Sequence, residues 1–185
     1  MARFVAVDPA QATSPAKELL DQVQAQLGIT PNMMRTMANS PAVLQGYLSF
    51  SGALAGGELS VQLREQIALA VAEANSCEYC ASAHTAIGKM VGLDDSNIST
   101  SLLSLSDDPK VDAALKFART IVVNQGEVSD DQINHLCHAG YSDAQILEII
   151  ANVVLNIFTN YFNNIAQTVV DFPKVELTSK KVGIN

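Results

Sequence analysis

The chain has 185 residues, 48% of them apolar and 16% charged, enough to build one well-formed core. Its 19 acidic residues against 11 basic leave a net charge of −8, which argues against nucleic acid and anionic membrane as partners. Residues 1–15 lack the apolar core of a signal peptide. The longest apolar stretch, 149–158, is broken by Asn152 and Asn156 and is short for a bilayer span, so the expected setting is cytoplasmic with no membrane partner.

Residues 1–14 read as an extended N-terminal arm. Helices are expected over 15–27, 31–38, 41–54 and 61–74, a site helix follows over 77–91, and a short helix or turn over 94–103. Further helices are expected over 109–124, 130–139 and 143–170. Ser14-Pro15, Thr30-Pro31, Ser40-Pro41 and Asp108-Pro109 each place a capping residue before a proline at the first helical position. Ser129 with Gln132, and Ser142 with Gln145, form capping boxes. Gly28, Gly56-Gly57, Gly92, Gly126 and Gly140 mark helix ends. No alternating run makes a convincing strand, Phe4 to Val7 being a weak exception, so the fold class is all-α. No repeat or linker divides the chain. The organisation expected is an arm (1–14), one helical domain (15–173) and a polar tail (174–185).

The fourth helix carries two apolar stripes, Leu63, Ile67, Ala70, Val71 and Ala74 on one side and Ala68, Leu69 and Ala72 on another. A helix apolar on two sides is buried between layers. Glu65 lies on the second stripe and stands out as an acid among alanines and leucines. The last helix has the stripe Ile146, Ile149, Ile150, Val153, Val154, Ile157, Tyr161 and Ile165, punctuated by Asn152, Asn156, Asn160, Asn163 and Asn164. Asparagine is a middling helix former, so this pattern implies polar packing against neighbours or another subunit.

The chemistry concentrates in Cys77-Glu78-Tyr79-Cys80-Ala81-Ser82-Ala83-His84. Asn75 or Ser76 can cap a helix there, with Glu78 completing a capping box. At about 100° per residue, Cys80 lies roughly 300° and His84 roughly 340° from Cys77, so all three share one face at the N-terminal end of a buried helix. Free N–H groups and partial positive charge at a helix start favour a thiolate, which points to Cys77 as the low-pKa thiol. A second cysteine one turn away can resolve an oxidised first one as a disulfide. His84 can relay the thiol proton, and Glu65 is the carboxylate that would complete the relay.

Glu65 followed by Cys77-x-x-Cys80-x-x-x-His84 resembles the AhpD-like alkylhydroperoxidase branch of the carboxymuconolactone decarboxylase superfamily. So do the flanking residues Leu63 to Ala72, Asn39-Ser40-Pro41, and Asn160-Tyr161-Phe162-Asn163. The resemblance covers about residues 15–173. It implies an AhpD-like helical bundle that assembles as a trimer or hexamer. It also implies a thiol peroxidase acting on small or organic hydroperoxides. Cys80 would attack the peroxide, Cys77 resolve it as a disulfide, and Glu65 and His84 relay protons. No bound cofactor or metal is implied, and the electrons come from a dithiol such as a lipoylated or thioredoxin-like protein. The resemblance thus names Cys80 where the helix start names Cys77, and His84, one turn from Cys80, tips the choice to Cys80. The sequence departs from the best-studied branch at Tyr79, where that branch has a histidine. A tyrosine with a pKa near 10 is a poor relay at pH 7, which leaves Tyr79 an accessory residue.

Two other functions use the same residues: thiol–disulfide exchange or redox sensing without peroxide turnover, and a zinc-binding module of Cys77, Cys80 and His84 with a fourth ligand from elsewhere. Cys137, in His135-Leu136-Cys137-His138, reads as a small buried cysteine with two surface histidines at a helix end near Gly140 rather than a zinc fragment. Met33, Met34 and Met37 read as filler of the core or an interface.

Overall fold

A computed structural model of the chain describes residues 2–178. Among the described residues there are nine helices and no strand. They are α1 (Ala16–Leu27), α2 (Asn32–Met37), α3 (Pro41–Ala55), α4 (Val61–Ala74), α5 (Glu78–Met90), α6 (Asp95–Leu102), α7 (Pro109–Val123), α8 (Asp130–His138) and α9 (Asp143–Ala166). The all-α reading therefore holds.

The starts follow local chemistry. Ser129 and Ser142 accept from the N–H groups of Gln132 and Gln145, whose side chains return the bond in two capping boxes. Asp94 and Asn97 form a third box, which the sequence pattern alone does not single out. Pro41 and Pro109 stand at the first helical position. Pro15 and Pro31 stand one place earlier, as the N-caps themselves. Gly28, Gly92, Gly126 and Gly140 have positive φ and end their helices without the strain a side chain would bring. α9 stops at Gln167, a left-handed C-cap, short of the expected residue 170.

α4 is the hub, packing against α5, α6, α7 and α9. Its residues Gln66, Ile67, Ala68, Leu69, Ala70, Val71, Ala72 and Glu73 are all buried, as its two stripes require. On one side Leu63, Ile67 and Val71 join Leu115 and Ala118 of α7, Leu136 of α8, and Ile149 and Val153 of α9. On the other, Ala72 meets a second core built from Leu20 and Val23 of α1, Met37 of α2, Leu44 of α3 and the first turn of α5. Cys77 and Cys80 belong to this second core.

The described residues before α1 and after α9 close over that core. The Val7 N–H donates to the Arg35 carbonyl, the Arg35 guanidinium donates back to the Val7 carbonyl, and Asn39 holds the Val5 carbonyl. Arg3 binds the carbonyls of Ile165 and Ala166 at the end of α9. After α9, Phe172 packs edge-on against Tyr79 (5.8 Å between centroids). Val175 N–H donates to the Ser82 hydroxyl, and Leu177 is 1% exposed. The expected polar tail thus begins as a strap across α5. Its polar pattern hid one large apolar residue at the right register, and 179–185 lie outside the described residues.

α9 is long and apolar enough, by length and composition, to cross a membrane. Here Ile149 and Val153 sit in the core, and four asparagines along it are buried.

Candidate active site

α4 and α5 are joined by a sharp corner. Asn75 caps the end of α4, Ser76 takes a left-handed φ of 52°, and Cys77 becomes the N-cap of α5. The expected cap at Asn75 or Ser76 is therefore displaced, and Glu78 is the first helical residue. Asn75 instead ties the corner to α9: its amide donates to Asn160 Oδ1 at 3.0 Å, and its carbonyl accepts from Asn164. The Cys77 thiol does the capping, its Sγ accepting from the Cys80 N–H at 3.4 Å.

This corner puts Cys77 and Cys80 one turn apart, both free thiols and both buried. They are unequal. The Cys77 thiol is pushed far up, first by donating its proton to Cys80 and then by burial. Burial also pushes Cys80 up, but the Cys77 hydrogen bond, the His84 charge and the side-chain amides of Asn163 and Asn160 outweigh it. The net result is a thiol lowered to about 7. The helix-start expectation of a low-pKa Cys77 is thus overturned. As N-cap, Cys77 lies just outside the helix, and the Cys80 sulfur collects the donors.

His84 Nδ1 lies 2.7 Å from Glu65 Oε2 across the α4–α5 interface, with side chains 22% and 14% exposed respectively. Burial lowers the imidazole, but the Glu65 charge and hydrogen bond, with the Cys80 thiolate, raise it overall. Arg64 does not compete for Glu65: its guanidinium donates to the Leu59 carbonyl at 2.9 Å and to the end of α3. Glu65 thus acts on His84, and His84 in turn on Cys80.

Asn163 on α9 completes the thiolate site, with Nδ2 donating to Cys80 Sγ at 3.3 Å and to Met33 Sδ at 3.1 Å. From sequence alone the 160–164 asparagines read as helix packing, so this donor is missed. The signal that could have found Asn163 is the inward stripe 152, 156, 160, 163, four amides on the core face of an apolar helix. Tyr79 is 5% exposed and its hydroxyl accepts from the Met33 N–H at 3.1 Å. Burial pushes its phenol well above the usual value; the Met33 bond opposes this and the Asp171 carboxylate adds to it. It is a packed wall of the site.

A cavity of about 410 Å³ opens onto Cys80, His84 and Glu65 but not onto Cys77. Its other walls are largely apolar, among them Leu27, Met34, Leu48, Leu54 and Ile87. Tyr47 of α3 also faces it; burial, only partly offset by its bond to Ser51, pushes that phenol up to about 12. Cys137, expected to be buried, is instead exposed on α8, and His138 bonds the Asn134 carbonyl. Among the described residues no group of three or more His, Cys, Asp or Glu converges as a metal site.

Residues 41–120, which include Glu65, both thiols and His84, match the carboxymuconolactone decarboxylase family. Over that stretch the chain is similar to the carboxymuconolactone decarboxylase family. Solved structures of similar fold align along nearly the whole chain. One is described as an alkylhydroperoxidase AhpD core, an uncharacterized peroxidase-related protein from Ralstonia eutropha JMP134 (24% identity, 92% of each chain, TM-score 0.83). Another is an uncharacterized peroxidase-related protein from Silicibacter sp. TM1040 (23% identity, 91% of this chain and 94% of that one, TM-score 0.78). A third is a cysteine-to-alanine variant of the debrominase Bmp8 with 2,3,4-tribromopyrrole (18% identity, 92% of each chain, TM-score 0.79). At these identities the likeness is one of fold. No curated protein matches the chain in sequence.

Proposed function

We propose that the chain is a thiol-dependent peroxidase that reduces organic hydroperoxides through a Cys77–Cys80 disulfide. The observation that carries this reading is the inequality of the two thiols: Cys80 is lowered to about 7 and faces a cavity, while Cys77 is held protonated behind it. The Cys80 thiolate attacks the outer peroxide oxygen and the O–O bond breaks. His84, backed by Glu65, supplies the proton that turns the leaving alkoxide into an alcohol. Cys77 then attacks the Cys80 sulfenic acid, its own proton going to the departing hydroxide as water. An external dithiol, on a lipoylated or thioredoxin-like protein, returns two electrons and two protons. The apolar walls favour a hydroperoxide with a hydrocarbon body over hydrogen peroxide. The reading includes a cytoplasmic, reducing setting and a homo-oligomer.

The test is stopped-flow loss of thiols from the reduced protein with cumene hydroperoxide and with hydrogen peroxide, followed by mass mapping. Loss of two thiols with a Cys77–Cys80 disulfide, faster for the organic peroxide, supports the reading. A rate no faster than that of a free thiol removes it. The apolar cavity also favours a second reading, reductive dehalogenation of a flat apolar compound by the same dithiol. Halide release in step with disulfide formation, without peroxide, would select it.

A further inference from the structure

Four residues of α9, Asn152, Leu155, Asn156 and Thr159, line the cavity of about 410 Å³ that opens onto Cys80. Asn152 Nδ2 donates to the Glu148 carbonyl at 2.8 Å, and Asn156 repeats the bond one turn on, to the Asn152 carbonyl at 2.8 Å. These bonds fix which way each amide points, because turned over it would set its oxygen against a carbonyl oxygen. The two Oδ1 atoms are what remains. Among the described residues neither accepts a hydrogen bond, and neither is sealed off as Asn163 Oδ1 is. Both residues are buried, at 4% and 6% exposure, and the cavity is the space they line.

Other polar groups on the cavity wall are occupied. Thr159 donates to the Asn156 carbonyl, the Arg64 guanidinium donates to the Leu59 carbonyl, and Glu65 is paired with His84. A few placed polar atoms on a largely apolar wall fix the orientation of a ligand. An amide oxygen accepts and cannot donate, so the group it orients is an O–H or N–H. Position along α9 sets the length of that ligand. Asn163 marks the level of Cys80 Sγ, to which it donates. At about 1.5 Å per residue, Asn156 lies about 10 Å and Asn152 about 16 Å along the helix from that level. The donor therefore belongs at the end of the ligand remote from the sulfur.

We propose that Asn152 and Asn156 form an acceptor subsite that selects elongated organic hydroperoxides carrying a hydroxyl or N–H group at the end remote from the peroxide. The subsite rests on the peroxidase reading for the identity of the group at Cys80. The hydrocarbon body lies along the apolar walls between the two ends. Cumene hydroperoxide and hydrogen peroxide have no remote donor and leave the subsite unused.

The probes are 4-pentylphenol and its methyl ether, 4-pentylanisole, which share a body and differ in the donor. Each is titrated by calorimetry into the reduced full-length protein. Wild type is expected to bind the phenol about fivefold more tightly, the worth of one net hydrogen bond. The double variant Asn152→Leu/Asn156→Leu is expected to bind both alike. Leucine keeps the heavy-atom count, so a preference set by the size of the methyl group would survive the substitution. In wild type the side-chain amide signals of Asn152 and Asn156 in a ¹⁵N correlation spectrum should move further with the phenol than with the ether, a readout that needs no variant. An ω-hydroxyalkyl hydroperoxide should also consume thiols faster than the alkyl hydroperoxide of equal length. Equal affinities in wild type, a phenol preference that survives the double substitution, or amide signals that respond alike to both probes would overturn the subsite. Neither binding readout uses a peroxide. An intact phenol preference without peroxide-driven thiol loss would remove the peroxidase reading and keep the acceptor subsite, a result distinct from the others.

Discussion

Two cysteines one turn apart become chemically different because each occupies a different part of the helix start. Cys77 uses its sulfur as a cap, and Cys80 receives the donors. Cys80→Ser should abolish oxidation, whereas Cys77→Ser should stall at a sulfenic acid on Cys80, trapped by dimedone and read by mass. The pH dependence follows from the same inequality. Cys80, lowered to about 7, is a thiolate above that pH and is protonated as pH falls through it, while His84, raised, keeps its charge beyond the usual imidazole range. Alkylation of the reduced protein by iodoacetamide should therefore climb through an apparent pKa near 7, a value belonging to the coupled pair. Glu65→Gln removes the main charge that raises His84. The imidazole then becomes neutral at lower pH, Cys80 loses its counter-charge, and the alkylation midpoint moves up. A midpoint higher by about one in pH leaves about tenfold less thiolate on its acid side. An unchanged midpoint would mean that Glu65 does not act through His84.

At the scale of elements, α9 contributes to the site above all through the amide of Asn163, which donates to Cys80 Sγ. Asn163→Leu keeps the branching and heavy-atom count of the side chain but removes the donor to Cys80. Thiolate absorbance at about 240 nm, titrated with pH, should show the Cys80 midpoint displaced upward in this variant, because a hydrogen bond to the charged form favours that form. No displacement would leave Asn163 a packing residue. This amide marks the boundary of what the sequence made legible. The caps of α8 and α9, the two-sided α4 and the spacing of Cys77, Cys80 and His84 are local patterns, and local patterns survive folding. The ranking of the thiols is not local. It depends on a side chain 83 residues away and on whether Cys77 caps the helix or belongs to it. A stripe of asparagines reveals which face is inward but not which sulfur the face meets.

At the scale of the molecule, two surfaces remain to be accounted for. Leu147, Val154, Phe158, Tyr161 and Ile165 are exposed along α9 at alternating three- and four-residue steps once Ala151 is included, a seam suited to another helix. The proposed homo-oligomer gives that seam a second copy to meet. Sedimentation should show more than one chain per particle, reduced to a single chain by Phe158→Glu if α9 forms the contact. The strap is the other surface. Its first residues connect the end of α9 to Ser82 and Tyr79 of α5 and share the second core with Cys77 and Cys80. Leu177, 1% exposed in the second core, is its anchor. Leu177→Ala should cost about 2–4 kcal/mol if the strap unfolds only with the whole chain, read as a fall in Tm and in the denaturant midpoint. A strap that opens by itself gives a different pair of results: a small fall in Tm, together with faster alkylation of Cys77 in the variant. Cys77 is 0% exposed and shares the second core with Leu177, so the proposed reductant needs such an opening and the second pair is the one expected. A full loss of global stability with unchanged Cys77 reactivity would make the strap a fixed part of the core.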